Sequence, residues 1–425
     1  MRALVTGAMT PVGLFVVRHL HEMGFEVTAG GCGLLDYALF SKGVKRRLRF
    51  PSPRLTPGRF IQAVLDELKR GRYDLYLPSF EDGYLMSYYQ DQIRQLTRFQ
   101  MMPYPSLMAV HDKANMSNIA KTVGIPIPSP TFRPTSLEAL AEAVAAVDYP
   151  VVVKLRKSCN ANGQQMVKNA RDLPAICADL IARYHLPESE LPIIQRYIKG
   201  SLISTVNLAK DGQVLGQVVF EALRVYPRKG GTSSLRQVIR HERAESLDRA
   251  LVAHLGWTGF LSVDYMRDGE TGDLFLIDVN PRLAPGVIFG YHAGTDLLGA
   301  YIDLLFDRPV RSISPPREGV LAKMHFPEVG ALLQSIFDHD LRLQDKIELW
   351  RSVLSAAPYP DDVFSWRDLK PFFALWAYIL PNVPRLLSRE GGEIFLRNAL
   401  FDQVRFEQDL FEMEAAASLE LEGME

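Results

Sequence analysis

Leu261-Ser-Val-Asp264-Tyr-Met-Arg-Asp-Gly-Glu-Thr-Gly-Asp-Leu-Phe-Leu-Ile-Asp278-Val-Asn280-Pro-Arg282 is the stretch on which the fold turns. Two apolar runs flank Asp268-Gly269 and Gly272-Asp273, turn residues that predict a hairpin of antiparallel strands. Each run carries one carboxylate inside an otherwise apolar strand, Asp264 in the first and Asp278 in the second. Side chains alternate faces with a period of two, so Asp278 and Asn280 point the same way and strand pairing brings Asp264 beside them. Two carboxylates side by side repel unless something positive lies between them, and hard oxygen ligands suit a Mg²⁺ held partly by substrate phosphates. Arg282, two residues beyond Asn280, is placed to meet an anion at the same face. Either aspartate alone reads more simply as a strand-end residue paired with a lysine; the whole arrangement does not.

The rest of the chain is compatible with such a site. At 425 residues it exceeds a single compact core, which predicts two or three packed domains. Its 47% hydrophobic and 23% charged residues argue against disorder. A formal net charge of −1 supplies no bulk field for nucleic acid or an anionic membrane, so any anion must be held by locally placed cations. Cys32, Cys159 and Cys177 are odd in number and lack Cys-x-x-Cys spacing, which argues against a disulfide framework or a structural zinc site. With no secretory leader after Met1-Arg2, a cytoplasmic location is expected. The apolar run Pro371–Pro381 is too short for the ~20 residues that span a bilayer.

Outward from the hairpin, residues 2 to about 105 alternate strand and helix patterns, which predicts a small α/β domain with a parallel sheet. Asp112 is a good N-cap for a helix that Gly124 ends, and Pro126, Pro128 and Pro130 prevent its continuation. Strand patterns at 151–154, 193–197, 203–208, 214–220, 259–266 and 274–279 predict an α+β middle part with an antiparallel sheet. From about 310 the chain reads as mostly helical.

Asp278-Val-Asn280-Pro-Arg282, preceded on the adjoining strand by Asp264, resembles the signature of the ATP-grasp superfamily. The resemblance implies that Asp264, Asp278 and Asn280 hold the Mg²⁺ ions that bridge ATP phosphates, with Mn²⁺ as an alternative. It makes Arg282 the binder of the transferred phosphoryl group or the substrate carboxylate. Family members place a lysine at the start of a helix ending in Gly-Ile-Pro, matched by Lys113 and Gly124-Ile-Pro126, and another after an apolar triplet, matched by Lys154. Both are expected on ATP phosphates. Ile194-Gln195-Arg196-Tyr197-Ile198 resembles the connector whose backbone reads adenine, with Arg196 and Ile198 acting through main-chain groups and Gln195 nearby. The loop from Arg156 to Gly163 stands where relatives carry a glycine-rich phosphate cover, here with the single glycine Gly163. Leu202 occupies the place of a ribose-binding Glu. The basic stretch Glu221–Ser234 is similar to a loop of the carbamoyl-phosphate-synthase-like branch, and Arg224 in it is expected to meet a substrate carboxylate or phosphate.

Thr6-Gly7-Ala-Met-Thr10-Pro11-Val-Gly13 looks like a Rossmann turn, but Thr10-Pro11 fills the middle glycine position and Gly30-Gly31 end the second strand without an acidic ribose ligand. These departures argue against a nicotinamide enzyme and for the Rossmann-like domain that precedes many ATP-grasp folds. The expected division is 1–110 for that domain and 111–310 for ATP-grasp (111–192 small subdomain, 193–310 catalytic subdomain), with 311–425 as a helical C-terminal region. The implied function is a carboxylate–amine ligase acting on small-molecule carboxylate and amine substrates through an acyl phosphate. A homodimer is compatible with the sequence, and no nucleic-acid partner is expected. Rival readings are a non-catalytic nucleotide-binding relative and a ligase with a thiol acceptor.

Overall fold

The computed structural model describes residues 1–158, 163–226, 232–337, 341–354, 360–386 and 401–422. Its first sheet is parallel, with strands β1 (Arg2–Thr6), β2 (Glu26–Gly31), β3 (Val44–Arg49) and β4 (Leu75–Pro78) in the order β3-β2-β1-β4. The crossover helices Pro11–Glu22 and Pro57–Gly71 each start with a proline, whose missing N–H is no loss in the first turn. Thr10 caps the first helix, its hydroxyl accepting the Gly13 N–H at 2.9 Å. The residues Thr10-Pro11 that spoil a dinucleotide turn are therefore a helix start. Strand β3, Val-Lys-Arg-Arg-Leu-Arg, was not foreseen because its charge argues against burial. It forms at the sheet edge, where the exposed cations also deter further strand pairing.

A second sheet contains β5 (Thr131–Phe132), β6 (Val151–Lys154), β7 (Gln165–Val167) and β8 (Ile193–Arg196) in the antiparallel order β5-β8-β6-β7. Helices Leu137–Ala146 and Leu173–Tyr184 share its core, where Leu140, Val151, Val153, Leu173, Leu180 and Ile194 are buried together.

The third sheet holds β9 (Gly200–Lys210), β10 (Gln213–Tyr226), β11 (Thr232–Ile239), β12 (Gly259–Asp268), β13 (Leu274–Asn280) and β14 (Leu321–Lys323), in the order β13-β12-β9-β10-β11-β14. Every neighbouring pair is antiparallel. β12 and β13 are the expected hairpin, with Asp264 directly opposite Asp278 and Ser262 opposite Asn280. Alternation sends Leu261, Val263 and Tyr265 into a core shared with helices Lys113–Val123 and Glu242–Leu255. Ser262, Asp264 and Met266 face a cavity on the other side. A bulge between Asp264 and Tyr265 sets Ile277 outside the pairing, so both Ile277 and Asp278 reach that cavity. The Lys113 helix begins and ends as expected: Asp112 accepts the Ala114 N–H at 2.8 Å, and Gly124 takes φ +78°.

The chain after 310 does not stand apart. β14 completes the edge of the third sheet, and helices His325–Phe337, Leu343–Leu354, Lys370–Leu386 and Gln403–Glu422 follow. Asp368 takes hydrogen bonds from Arg18 Nε at 2.9 Å and Ser41 Oγ at 2.6 Å, tying the region to the parallel sheet. Leu375 and Ile379 are buried against Tyr37 and Ala38, and Phe406 is buried with Phe60 and Leu65. The aromatic run is thus only half covered, since Phe373 and Trp366 remain 63% and 82% exposed. No helix among the described residues is long and apolar enough to cross a membrane.

Candidate active site

A cavity of about 700 Å³ lies between the second and third sheets and continues to the start of the Pro11 helix and beneath the C-terminal helices. Lys113, Lys154, Gln195, Arg196, Ile198, Arg224, Asp264, Asp278, Asn280 and Arg282 all line it. Gly163 does not. It sits in a turn at φ +65°, where a Cβ would meet the Leu155 side chain at 2.5 Å, and its neighbour Gln164 reaches the cavity instead. Of the loop expected to cover phosphates, residues 159–162 lie outside the described residues.

The two aspartates form the acidic centre. Ser204 Oγ donates to Asp264 Oδ1 at 2.5 Å, and Lys113 Nζ stands 3.1 Å from Asp278 Oδ1 while also donating to the Ser158 carbonyl. Burial, and then the charge of Asp278, push the Asp264 carboxyl up to about 6, against the pull of the Ser204 hydroxyl, Arg236 and Arg282. A carboxylate so destabilised gains from a cation beside it. Among the described residues no group of three or more His, Cys, Asp and Glu side chains could hold a metal. The donors offered by the chain are therefore two carboxylates and the Asn280 amide, short of the octahedral set of Mg²⁺. That donor set fits a hard cation completed by phosphate oxygens and water.

Cations surround this centre. Lys154 is 6% exposed; burial, with Lys113 nearby, lowers its amine to about 8 although Asp278 and Asp264 favour the charged form. Its Nζ lies 3.5 Å from the Ile277 carbonyl. Arg282 stacks over the Phe80 ring at 4.1 Å, donates to Asn280 Oδ1 at 3.2 Å and pairs with Glu81 Oε1 at 3.4 Å. The other Glu81 oxygen accepts the Phe401 N–H at 2.8 Å, so the loop after β4 and the C-terminal region together hold Arg282 in place. Arg224, expected on a ligand carboxylate or phosphate, is ion-paired with the buried Glu328 of the His325–Phe337 helix. Its surroundings also differ from a basic loop: Glu221–Tyr226 belongs to β10 and Thr232–Ser234 to β11, while 227–231 lie outside the described residues.

At the connector, the Arg196 N–H donates to the Pro130 carbonyl at 3.0 Å, and the Tyr197 N–H to the Pro150 carbonyl at 3.1 Å. In an extended strand the N–H and C=O of one residue point to the same side. The Arg196 carbonyl therefore faces Pro130, which has no N–H to return. Gln195 Nε2 donates to Thr131 Oγ1 at 3.2 Å, and the Arg196 guanidinium lies over the Phe275 ring at 5.3 Å. Ile198, Leu202, Met266 and Ile277 supply apolar walls beside them.

Two polar residues at the centre were missed by the sequence reading. Ser204 gave no signal of its own. Arg236 did give one, since Ser234, Arg236 and Val238 alternate on the buried face of β11, which is an unusual place for a cation. Its guanidinium lies between Phe220 and Phe289, at 4.7 and 4.8 Å from the two rings, and burial lowers it to about 10.

Residues 110–286 match the family model described as an ATP-grasp domain. The fold is similar to that of the biotin carboxylase domain of Hydrogenobacter thermophilus 2-oxoglutarate carboxylase, solved with MgADP and bicarbonate, at 16% identity, TM-score 0.61, and 75% and 73% coverage of this chain and that one. It is also similar to the L-amino acid ligase of Bacillus licheniformis, at 14% identity, TM-score 0.60, and 75% and 78% coverage. N5-carboxyaminoimidazole synthetase of Staphylococcus aureus gives 12% identity, TM-score 0.60, and 84% and 86% coverage. At such identities the likeness is one of fold. No curated protein matches the chain by sequence.

Proposed function

We propose that this chain, whose residues 110–286 form an ATP-grasp domain, is an ATP-dependent ligase that phosphorylates a carboxylate and passes the acyl group to an amine. The observation that carries the proposal is the joint placement of Asp264, Asp278 and Asn280 opposite Lys113 and Lys154 in one cavity. In this reading residues 1–110 supply the far wall, 111–192 and 193–310 enclose the nucleotide, and 311–425 closes the cavity.

The base of ATP reads the Arg196 carbonyl and the Ile198 N–H, between the apolar side chains of Ile198, Leu202, Met266 and Ile277. Asp264, Asp278 and Asn280 would hold Mg²⁺, with Mn²⁺ as a substitute, and the metal would supply positive charge to offset the phosphates and make the γ-phosphorus more electrophilic. Lys113 exchanges its contact with Asp278 for phosphate oxygens. Lys154, with an amine near 8, arrives mostly protonated at neutral pH and is held charged by the phosphate it meets. Arg282, positioned by Glu81 and Phe80, orients the Asn280 amide and stabilises charge on the transferring group. The substrate carboxylate attacks the γ-phosphorus and ADP leaves. The amine then attacks the acyl carbon, loses a proton and releases phosphate. Cys32 and Cys177 are free thiols, and Cys159 lies outside the described residues.

Carboxylate-dependent ADP release, measured over a panel of acids with Mg²⁺ and an amine, tests the reading. ADP release that rises with an acid and disappears in Asp278→Ala supports it. Nucleotide binding without any acid-dependent ADP, across the whole panel, identifies a non-catalytic binder instead.

A further inference from the structure

The cavity does not end where the phosphates would lie. Past Asp264 it runs on beneath helices His325–Phe337 and Leu343–Leu354, with walls that include Tyr226, Phe326, Ala331, Leu341 and Leu349. These helices lie close on the third sheet: a Cβ on Gly330 would meet the Tyr226 ring at 2.5 Å. Gln334, Ser335 and Asp345 are polar residues of these helices in the lining, and between them the apolar walls offer area for a hydrocarbon chain to bury.

A cation stands at the junction of this chamber with the acidic centre. Arg236 is 6% exposed, lies between two phenylalanine rings and lines the cavity. Among the described residues its Nε has no hydrogen-bond partner, and its Nη2 donates to the Ser233 carbonyl and Met324 Sδ at 3.4 and 3.2 Å. A buried guanidinium with an unmet donor favours a carboxylate. The lining also includes Asp362, whose charge is felt at Arg236, and Asp345, which is ion-paired with Arg342 at 3.1 Å; Asp362 opposes a second negative charge on the same molecule.

We infer that the acid activated here is a monocarboxylic acid with a bulky apolar tail, its carboxylate drawn to Arg236 and its tail lodged under the His325–Phe337 and Leu343–Leu354 helices. The inference rests on the ligase reading for the fate of the carboxylate, but the chamber can be tested apart from it. Binding of butyrate, octanoate and succinate to the full chain is measured by calorimetry with Mg²⁺ and a non-hydrolysable ATP analogue. Acyl phosphate formation is followed in parallel as hydroxamate, with ATP and hydroxylamine. Affinity should rise by about fourfold per buried methylene, on the order of 10²-fold from butyrate to octanoate. Succinate should bind no better than butyrate. Ala331→Trp should erase the advantage of octanoate and leave nucleotide affinity unchanged, and the milder Ala331→Leu serves if the larger side chain prevents folding. Arg236→Gln should weaken both monocarboxylates alike.

A flat chain-length profile, or succinate binding as tightly as octanoate, overturns the chamber. Hydroxamate from polar acids but not from octanoate also overturns it, while leaving the ligase intact. Octanoate binding that depends on Ala331, without hydroxamate or ADP from any acid, keeps the chamber and overturns the ligase.

Discussion

Replacing Asp264 by asparagine should make the metal-free protein more stable while it abolishes turnover. The carboxyl sits near 6 in the folded chain against 3.8 for the free group, a difference of about two units. At roughly 1.36 kcal/mol per unit, ionised Asp264 costs up to about 3 kcal/mol at neutral pH, and its partial exposure to the cavity reduces this to about 1–2 kcal/mol. Between pH 3.8 and about 6 the folded chain keeps a proton that the unfolded chain has released, so stability falls as pH rises through that window and is level above it. The amide does not titrate, yet it keeps the oxygen that accepts from Ser204 at 2.5 Å. The gap between variant and parent should therefore be small near pH 4, about half developed at pH 5 and complete above about pH 7.

Urea unfolding in EDTA at pH 5 and pH 7.5 reads this directly. ADP release in the same variant should fall by at least the ~10²–10³ typical of a lost charge-stabilising contact. An asparagine variant less stable than the parent at pH 7.5, or a gap equal at the two pH values, refutes the electrostatic account. Turnover within a fewfold of the parent refutes the metal assignment.

Asp278→Ala and Asn280→Ala should each abolish ADP production while leaving circular dichroism unchanged; activity near that of the parent in either one would remove it from the metal set. Lys113→Met and Lys154→Met should each weaken ATP binding in calorimetry with Mg²⁺ present. If the Lys154 amine, near 8, binds phosphate as a cation as proposed, parental ATP affinity should decline as pH rises past 8, and this decline should be absent in Lys154→Met. Deleting residues 361–425 removes Asp368 from Arg18 and Ser41 and uncovers the surfaces packed on Leu375, Ile379 and Phe406. The truncated chain should lose solubility, and one that stayed soluble, monomeric and equally heat-stable would contradict that packing.

The hairpin was legible because its reading needs only local rules. A period of two and a two-ended turn signal put Asp264, Asp278 and Asn280 on one face, and the structure places the two aspartates in direct register. The Lys113 helix was legible for the same reason, since both of its caps lie in its own sequence. Elements whose stability comes from distant partners were not. β3 carries a charge pattern that only an edge position tolerates. β11 looks like part of a basic loop until its pairing with β10 and β14 turns Arg236 inward.

Counter-ions were the least legible feature, and they change how the site must work. The sequence shows Lys113, Arg224 and Arg282 as cations awaiting an anion, but it cannot show that each already faces a carboxylate. Arg282 meets Glu81 across 201 residues and Arg224 meets Glu328 across 104. Lys113 stands against Asp278, one of the proposed metal donors. Buried charges without such partners would cost several kcal/mol each, so a site that holds phosphate and metal, as proposed, must neutralise itself when empty. The Lys113–Asp278 contact does this with the proposed ligand-binding groups as their own counter-ions. On the proposed reading metal and phosphate would bind best together, because a cation on Asp278 would free Lys113 for phosphate and a phosphate on Lys113 would free Asp278 for the metal. The Arg282–Glu81 pair draws on a carboxylate from outside residues 110–286, which makes the setting of that arginine depend on how the loop after β4 and the Phe401 segment sit against the cavity.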